Sequence, residues 1–267
     1  MIERGSWTEP VRAAVIQTRL YLSNVEENLR NSITLMEEAD KGSNPDLMVL
    51  PEAFTTGFEF EKLPELAEKS DMVTGSMCDF ARDHGTHIFF TQIVGDKGRL
   101  MNRSHHIGGD GTVKGTYDKT HLFSRIGEDE WISPGDRLVE YRMGDIRIGP
   151  LICYEIRYPE LARKLTLEGV DLIIYMAQWP HFRIFQWETL LRARAIENQL
   201  FVIGVNIWGD HKGVMMGGGS RIISPFGEIL AHLDDGPGWT SAEMDPSVIE
   251  GVRRKIPVFD DRIEKLY

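Results

Sequence analysis

Three residues in this chain have the types that hydrolysis by a covalent route requires: a thiol at Cys153, a carboxyl at Glu52 and an amine at Lys119. Each sits beside an apolar run. Cys153 follows residues 146–152 and precedes Tyr154-Glu-Ile-Arg-Tyr-Pro159, Glu52 follows Leu47-Met-Val-Leu-Pro51, and Lys119 lies in Tyr117-Asp-Lys-Thr-His-Leu-Phe123. A thiolate attacks well, but a free thiol is only a few per cent ionised at neutral pH. A nearby carboxylate can take the thiol proton and later activate water. An ammonium can stabilise the anion that forms on a substrate carbonyl oxygen. Taken singly, the residues have plainer readings: a small core cysteine, and surface or paired charges. A carboxylate at the end of a buried strand is nevertheless costly without a partner or a task. Together the three make a usable catalytic set.

Such a set needs strand ends that converge on one spot. Residues 146–152 read as a buried strand. A helix over 159–168 should follow, because proline fits a first helical position. Cys153 is therefore expected at a strand-to-helix turn, near backbone N–H groups that favour a thiolate and a developing oxyanion. Further strands are expected over 11–17, 47–50, 87–94, 138–141, 170–176 and 201–206, with a hairpin around Pro225-Phe-Gly227. Residues 96–117 read as antiparallel hairpins. A helix over 24–40 has Val25, Leu29, Ile33 and Met36 at helical spacing and Asn24 as its N-cap. Residues 64–84 read as helical with a break near Gly75, residues 184–199 as a strong helix, and 246–254 as a short one. Strands alternating with helices argue an α/β protein, and the hairpins argue mixed rather than purely parallel sheets.

The chain has 267 residues, enough for one large domain with a sizeable core. Its net charge is −11 with no basic cluster, which argues against nucleic acid and anionic membranes and leaves a small molecule as the expected partner. No apolar run approaches the roughly 20 residues that span a bilayer, and residues 1–10 lack a signal-peptide core. Only Cys78 and Cys153 are present, so a disulfide framework is not expected and a cytoplasmic location is. Cys78, beside Met77, Phe80 and Ala81, reads as core packing.

At the three stretches that hold Glu52, Lys119 and Cys153, in that order, the chain resembles the nitrilase, or carbon–nitrogen hydrolase, superfamily. The resemblance runs from about residue 11 to 233 and is closest to the omega-amidase branch. It rests on Pro-Glu-Ala-Phe-Thr-Thr-Gly-Phe58, Asp-Lys-Thr-His-Leu-Phe123, Cys-Tyr-Glu-Ile-Arg-Tyr-Pro159, Gln-Trp-Pro180 and Arg-Ala-Arg-Ala-Ile-Glu-Asn-Gln199. It implies one domain over 1–267, with arms at 1–10 and about 250–267. It also implies a four-layer α-β-β-α sandwich with two mixed β-sheets, and a homodimer paired through a helical face. The chemistry implied is a cofactor-free amidase working through a thioester: Glu52 as base, Lys119 as the cation at the oxyanion, Cys153 as nucleophile. The Tyr154 backbone N–H would complete the oxyanion site. A second glutamate should follow the lysine; Glu128 is the choice and Glu130 the alternative. The implied substrate is the terminal amide of a 2-oxo dicarboxylate monoamide, hydrolysed by water with release of ammonia. A nitrilase, an amidase or carbamoylase of other range, and a non-catalytic binding module are the alternatives.

Other candidates have competing readings. Trp179 and Arg183 lie past a strand end, where α/β proteins gather ligands; they are candidates to touch substrate, against core filling and a surface ion pair. Arg157 should pair with a carboxylate and brace the nucleophile turn. Arg192, Arg194 and Glu197 look like structural ion pairs. His121 could form a dyad with Cys153, but a buried, hydrogen-bonded histidine is the better reading. Histidines 84, 87, 105 and 106 match no zinc spacing, no metal is expected, and surface or loop positions are their reading. Gly217-Gly-Gly219 lacks the context of a phosphate loop and reads as a loop into a strand.

Overall fold

The computed structural model describes residues 7–266. The expected arm at 1–10 therefore falls mostly outside the described residues, as does Tyr267. The elements run β1 (Val11–Gln17), α1 (Val25–Ser43), β2 (Leu47–Val49), α2 (Leu63–Ala67), α3 (Ser70–His84), β3 (His87–Asp96), β4 (Arg99–Ile107) and β5 (Val113–Asp118). They continue α4 (Glu128–Trp131), β6 (Tyr141–Met143), β7 (Ile146–Ile152), α5 (Pro159–Leu167), β8 (Leu172–Ala177), α6 (Ile184–Asn198) and β9 (Phe201–Asn206). The remainder is β10 (Trp208–His211), β11 (Val214–Gly217), β12 (Arg221–Ile223), β13 (Ile229–His232), β14 (Gly238–Met244) and α7 (Ser247–Lys255).

Two six-stranded mixed sheets form, in the orders β14-β1-β2-β3-β4-β5 and β13-β12-β9-β8-β7-β6. Strand alternation assigns the faces. Ala13, Val15, Leu47, Val49 and Phe89 join Ile148, Ile174 and Val205 in the core between the sheets. Their neighbours Ala14, Ile16, Met48, Ile88 and Phe90 face Leu29 and Met36 of α1 and Val73 and Met77 of α3. On the far side, α5 and α6 cover the second sheet through Leu165, Trp187 and Leu191. The result is the expected four-layer α-β-β-α sandwich. Close approach of α6 depends on Gly204 of β9, where a Cβ would run into Leu191 and Trp187.

Helix starts follow sequence chemistry. Asn24 caps α1 by accepting from Glu27 N, and α1 ends on Asn44 in the left-handed region. Pro159 opens α5. Several expectations need correction. The break in the 64–84 helix falls between α2 and α3, at residues 68–69, while Gly75 lies inside α3. An interior glycine costs about 1 kcal/mol, which packing of Val73 and Met77 absorbs. No strand forms at 138–140; β6 begins at Tyr141 because the turn through Gly144, at φ 57°, sets Met143 opposite Ile146. Residues 250–255 are not an arm, since they complete α7, whose Ile249 and Val252 are buried. The unexpected β14 pairs along all of β1, from Val11 with Met244 to Gln17 with Gly238. The unexpected β10 and β11 form a separate two-stranded hairpin.

The histidine reading holds for His84, exposed at the end of α3, and fails for the histidines on the strands. His105 and His106 are buried on β4, not on the surface or in loops. His106 Nε2 lies 2.9 Å from His87 Nδ1, and its ring stacks on Phe89 at 4.4 Å. His105 stacks on Phe90 at 4.9 Å and meets Gln92 Nε2 at 3.2 Å. Burial pushes both imidazoles down to about 3. The unfolded chain then takes up protons below pH 6.5 that the fold excludes, so stability falls as pH drops from 6.5 towards 3. Each histidine contributes a slope of up to about 1.4 kcal/mol per pH unit. Urea melts between pH 6.5 and 5 should show this decline, and His105→Gln/His106→Gln should flatten it. A wild-type midpoint unchanged over that window would refute the assignment.

Candidate active site

The site gathers at the carboxyl ends of β2, β5, β7 and β8, where the two sheets open. The chain leaves β2 through Leu50, whose N–H donates to Phe89 O at 2.8 Å, and then presents Glu52, 1% exposed. Ala53 follows at φ 42°, held by its N–H to Thr91 Oγ1 at 2.7 Å. Lys119 comes directly after β5; its N–H donates to Asn102 O at 3.0 Å and its carbonyl accepts from Gly135 N at 2.8 Å. Glu128 opens α4 and is 1% exposed, whereas Glu130 is exposed on the same short helix. Cys153 follows β7 at φ 47°, an unfavourable backbone for a residue with a Cβ. It begins a single 3-10 turn that runs to Arg157.

Lys119 Nζ donates to Glu52 Oε1 at 2.9 Å and to Glu128 Oε1 and Oε2 at 2.8 and 2.9 Å. Asn102 Nδ2 donates to Glu52 Oε1 at 2.8 Å, and Gln178 N–H to Glu52 Oε2 at 3.0 Å. Phe123 N–H donates to Glu128 Oε2 at 2.7 Å. Cys153 Sγ lies 3.7 Å from Gln178 O, and the charges of Glu52 and Lys119 act on it. The three polar side chains are nearly sealed, yet Glu52, Lys119, Glu128 and Cys153 all reach one cavity of about 330 Å³. Its walls are largely apolar, with Phe58, Phe60, Phe123, Phe182, Val214 and Met216, and Arg125, Arg183 and Lys212 bring positive charge.

The electrostatics are those of a desolvated cluster. Burial raises the Glu52 carboxyl, with Lys119 opposing and Glu128 adding to the rise. Burial alone would lower the Lys119 ammonium, but Glu128 and Glu52 hold it above the ordinary lysine value. Burial and the Glu52 charge push the Cys153 thiol well up, against the pull of Lys119. The turn is expected to favour a thiolate, but burial and the Glu52 charge outweigh what favours it. The resting sulfur keeps its proton, and Glu52, with its basicity increased by burial, is the group placed to take it.

Sequence comparison identifies the family. The family model described as carbon-nitrogen hydrolase matches residues 12–254. The chain belongs to the carbon–nitrogen hydrolase family. It is 35% identical to the 2-oxoglutaramate amidase of Bacillus subtilis (strain 168), over 90% of this chain and 93% of that protein. It is also 35% identical to omega-amidase YafV of Escherichia coli (strain K12), over 82% of this chain and 85% of that one. Among solved structures, the carbon-nitrogen hydrolase from Helicobacter pylori G27 superposes with a TM-score of 0.91 at 25% identity, covering 97% of both chains. The protein is therefore an enzyme, a hydrolase of carbon–nitrogen bonds.

Among the other sequence candidates, Arg183 does line the cavity. Its guanidinium lies 5.0 Å from the Phe182 ring and 5.9 Å from that of Phe123, and no described carboxylate pairs with it. The Trp179 ring is buried away from the cavity lining; its Nε1 donates to Arg183 O at 2.9 Å and it tilts against Trp187. Trp179 thus shapes the approach of Arg183 from behind. The Tyr154 ring packs on Phe123 at 4.8 Å. Arg157 meets no carboxylate among the described residues: it donates to Gln186 Oε1 at 2.6 Å and lies over Trp179. Arg194 does the bracing instead, through Nε and Nη2 to Ile156 O at 3.1 and 2.7 Å, while pairing with Glu197 at 2.8 Å. Among the described residues Arg192 has no such pair. His121 is half-exposed rather than buried, with Nδ1 at 2.8 Å from Thr120 Oγ1. Among the described residues no group of three or more His, Cys, Asp or Glu could hold a metal ion.

Sequence reasoning missed Asn102 and the backbone of Gln178. Asn102 carries no local signal, since β4 pairs it into the site from a strand whose own pattern is unremarkable. Gln178 was within reach, because Gln-Trp-Pro180 follows β8 as Cys153 follows β7.

Proposed function

We propose that this hydrolase is a cysteine amidase that removes ammonia from a small amide bearing a carboxylate, of the 2-oxo dicarboxylate monoamide class. Two observations support it: the Glu52–Lys119–Glu128 cluster stands against the Cys153 thiol at the cavity floor, and an unpaired Arg183 stands at its wall. Glu52 takes the thiol proton as Sγ bonds to the amide carbon. The carbonyl oxygen becomes an oxyanion, met by Lys119 Nζ and the Tyr154 N–H. Glu52 then passes the proton to nitrogen, the carbon–nitrogen bond breaks, ammonia leaves and a thioester remains. Water gives a proton to Glu52 and adds its oxygen to the thioester carbon. The second oxyanion collapses, the carbon–sulfur bond breaks and the proton returns to sulfur. Glu128 takes no proton in this scheme; it fixes Lys119. The working assembly is a homodimer in the cytoplasm, and Phe185 on α6, 75% exposed, supports a helical pairing face.

Intact-mass measurement after rapid mixing with a 2-oxo dicarboxylate monoamide, with ammonia assayed in parallel, tests the scheme. An acyl adduct on Cys153 is expected, and turnover without any adduct on slow substrates would exclude the thioester. The apolar walls favour one second reading, an amidase of neutral aliphatic amides. Arg183→Lys separates the two. A guanidinium holds a carboxylate bidentately and lysine cannot, so KM for the anionic amide should rise about tenfold, roughly 1.4 kcal/mol. Activity on butyramide should hardly change. Equal losses on both substrates would make Arg183 structural.

A further inference from the structure

Glu155 is wholly buried, carries charge chemistry, and takes no part in the steps above. Its carboxylate receives hydrogen bonds from five donors on two separate segments. Oε1 accepts from Tyr117 Oη at 2.6 Å, Thr120 Oγ1 at 2.7 Å, Thr120 N at 2.9 Å and His121 N at 3.3 Å. Oε2 accepts from Ile152 N–H at 2.7 Å, reaching back over the turn that it belongs to. The first four donors straddle Lys119 in sequence, and the fifth immediately precedes Cys153. One carboxylate therefore ties the segment that carries the ammonium to the turn that carries the thiol. Among the described residues, the hydrogen bonds that join residues 117–121 to residues 152–155 all end on this carboxylate.

Resting on the amidase reading, we propose that Glu155 is a positioning residue that sets the distance between Lys119 Nζ and Cys153 Sγ, and so the fit of both to the oxyanion. The chemistry favours a carboxylate specifically. A carboxylate offers only acceptors, whereas a carboxamide must turn its NH₂ towards either the Ile152 N–H or the Thr120 and Tyr117 donors. The strained φ of Cys153 needs such a clamp, because a backbone in that region persists only when its surroundings over-determine it. Misplacement by about 1 Å can cost about 100-fold in rate.

The test is Glu155→Gln in the full chain. Its kcat should fall about 100-fold while KM moves less than about threefold, since the cavity walls that bind substrate are untouched. Tyr117→Phe removes one donor and keeps the carboxylate, so it covers the case in which Glu155→Gln does not fold; its kcat should fall about tenfold at similar KM. A fall in thermal midpoint with kcat unchanged would reduce Glu155 to a structural group and overturn the proposal, as would a loss carried by KM. Alkylation of Cys153 by iodoacetamide at pH 8 reads the same geometry without an amide. It should slow about tenfold in both variants, against a Cys78→Ala background. Unchanged alkylation would overturn the positioning role, whereas wild-type protein inert to every amide yet alkylated faster than either variant would sink only the amidase reading.

Discussion

Cys153→Ala should abolish ammonia release, lowering kcat by at least about four orders of magnitude, while the protein stays folded. Losses of that size follow removal of a nucleophile that works as a unit with its base and its oxyanion donors. The fold should survive because Sγ contributes little to packing. Cys153 is half-buried at a cavity, and its thiol makes only a long 3.7 Å contact to Gln178 O. Alanine keeps the Cβ and therefore the same cost at φ 47°. Cys78→Ala is the control. Cys78 lies on α3 with its thiol raised by burial and by Asp79, and it lines no part of the cavity, so near-normal turnover is expected. Ammonia assays and thermal melts of both variants check this. Appreciable turnover by Cys153→Ala would remove the covalent route altogether.

The reach of the sequence differed between the parts of this molecule. Residues at strand ends were legible, because Glu52, Lys119 and Cys153 each break an apolar run with a reactive group. The buried strands around them were legible for the same reason. Glu128 was reached through family resemblance and not by its own surroundings, since Glu128, Asp129 and Glu130 look alike until α4 turns one of them inward. Strand β14 was invisible because its residues are only half-covered and Gly238-Trp-Thr-Ser241 resembles a turn. Its place is decided by β1, more than two hundred residues earlier. The thiol was misjudged for an electrostatic reason. Proximity of a lysine argues for a thiolate, but the lysine is already engaged by two carboxylates, and burial with Glu52 decides the outcome. His105 and His106 failed similarly: adjacent strand residues face opposite ways, and here both faces of β4 are covered.

Glu52→Gln and Lys119→Gln should each lower kcat by several orders of magnitude, and the double variant should be little worse than either alone. The reason lies in the shared proton. Removing the ammonium leaves Glu52 and Glu128 buried with no cation between them, and like charges in one dry site cannot both stay ionised. One carboxyl takes up a proton, and a protonated Glu52 can no longer accept one from Cys153. Loss of Lys119 thus carries the loss of the base within it, so the two effects overlap instead of multiplying. Stability should divide the variants differently. Glu52→Gln leaves Lys119 paired with Glu128 and should melt near wild type. Lys119→Gln breaks a buried network and should cost about 3–5 kcal/mol at neutral pH. Part of that loss should be recovered in the double variant, where one of the two unpaired carboxylates is gone. Steady-state kinetics and urea melts of the two single variants and the double variant measure both patterns. Multiplied kinetic losses would mean that Glu52 remains a working base without Lys119, and equal stabilities for all three would mean that the ammonium does not hold the carboxylates together.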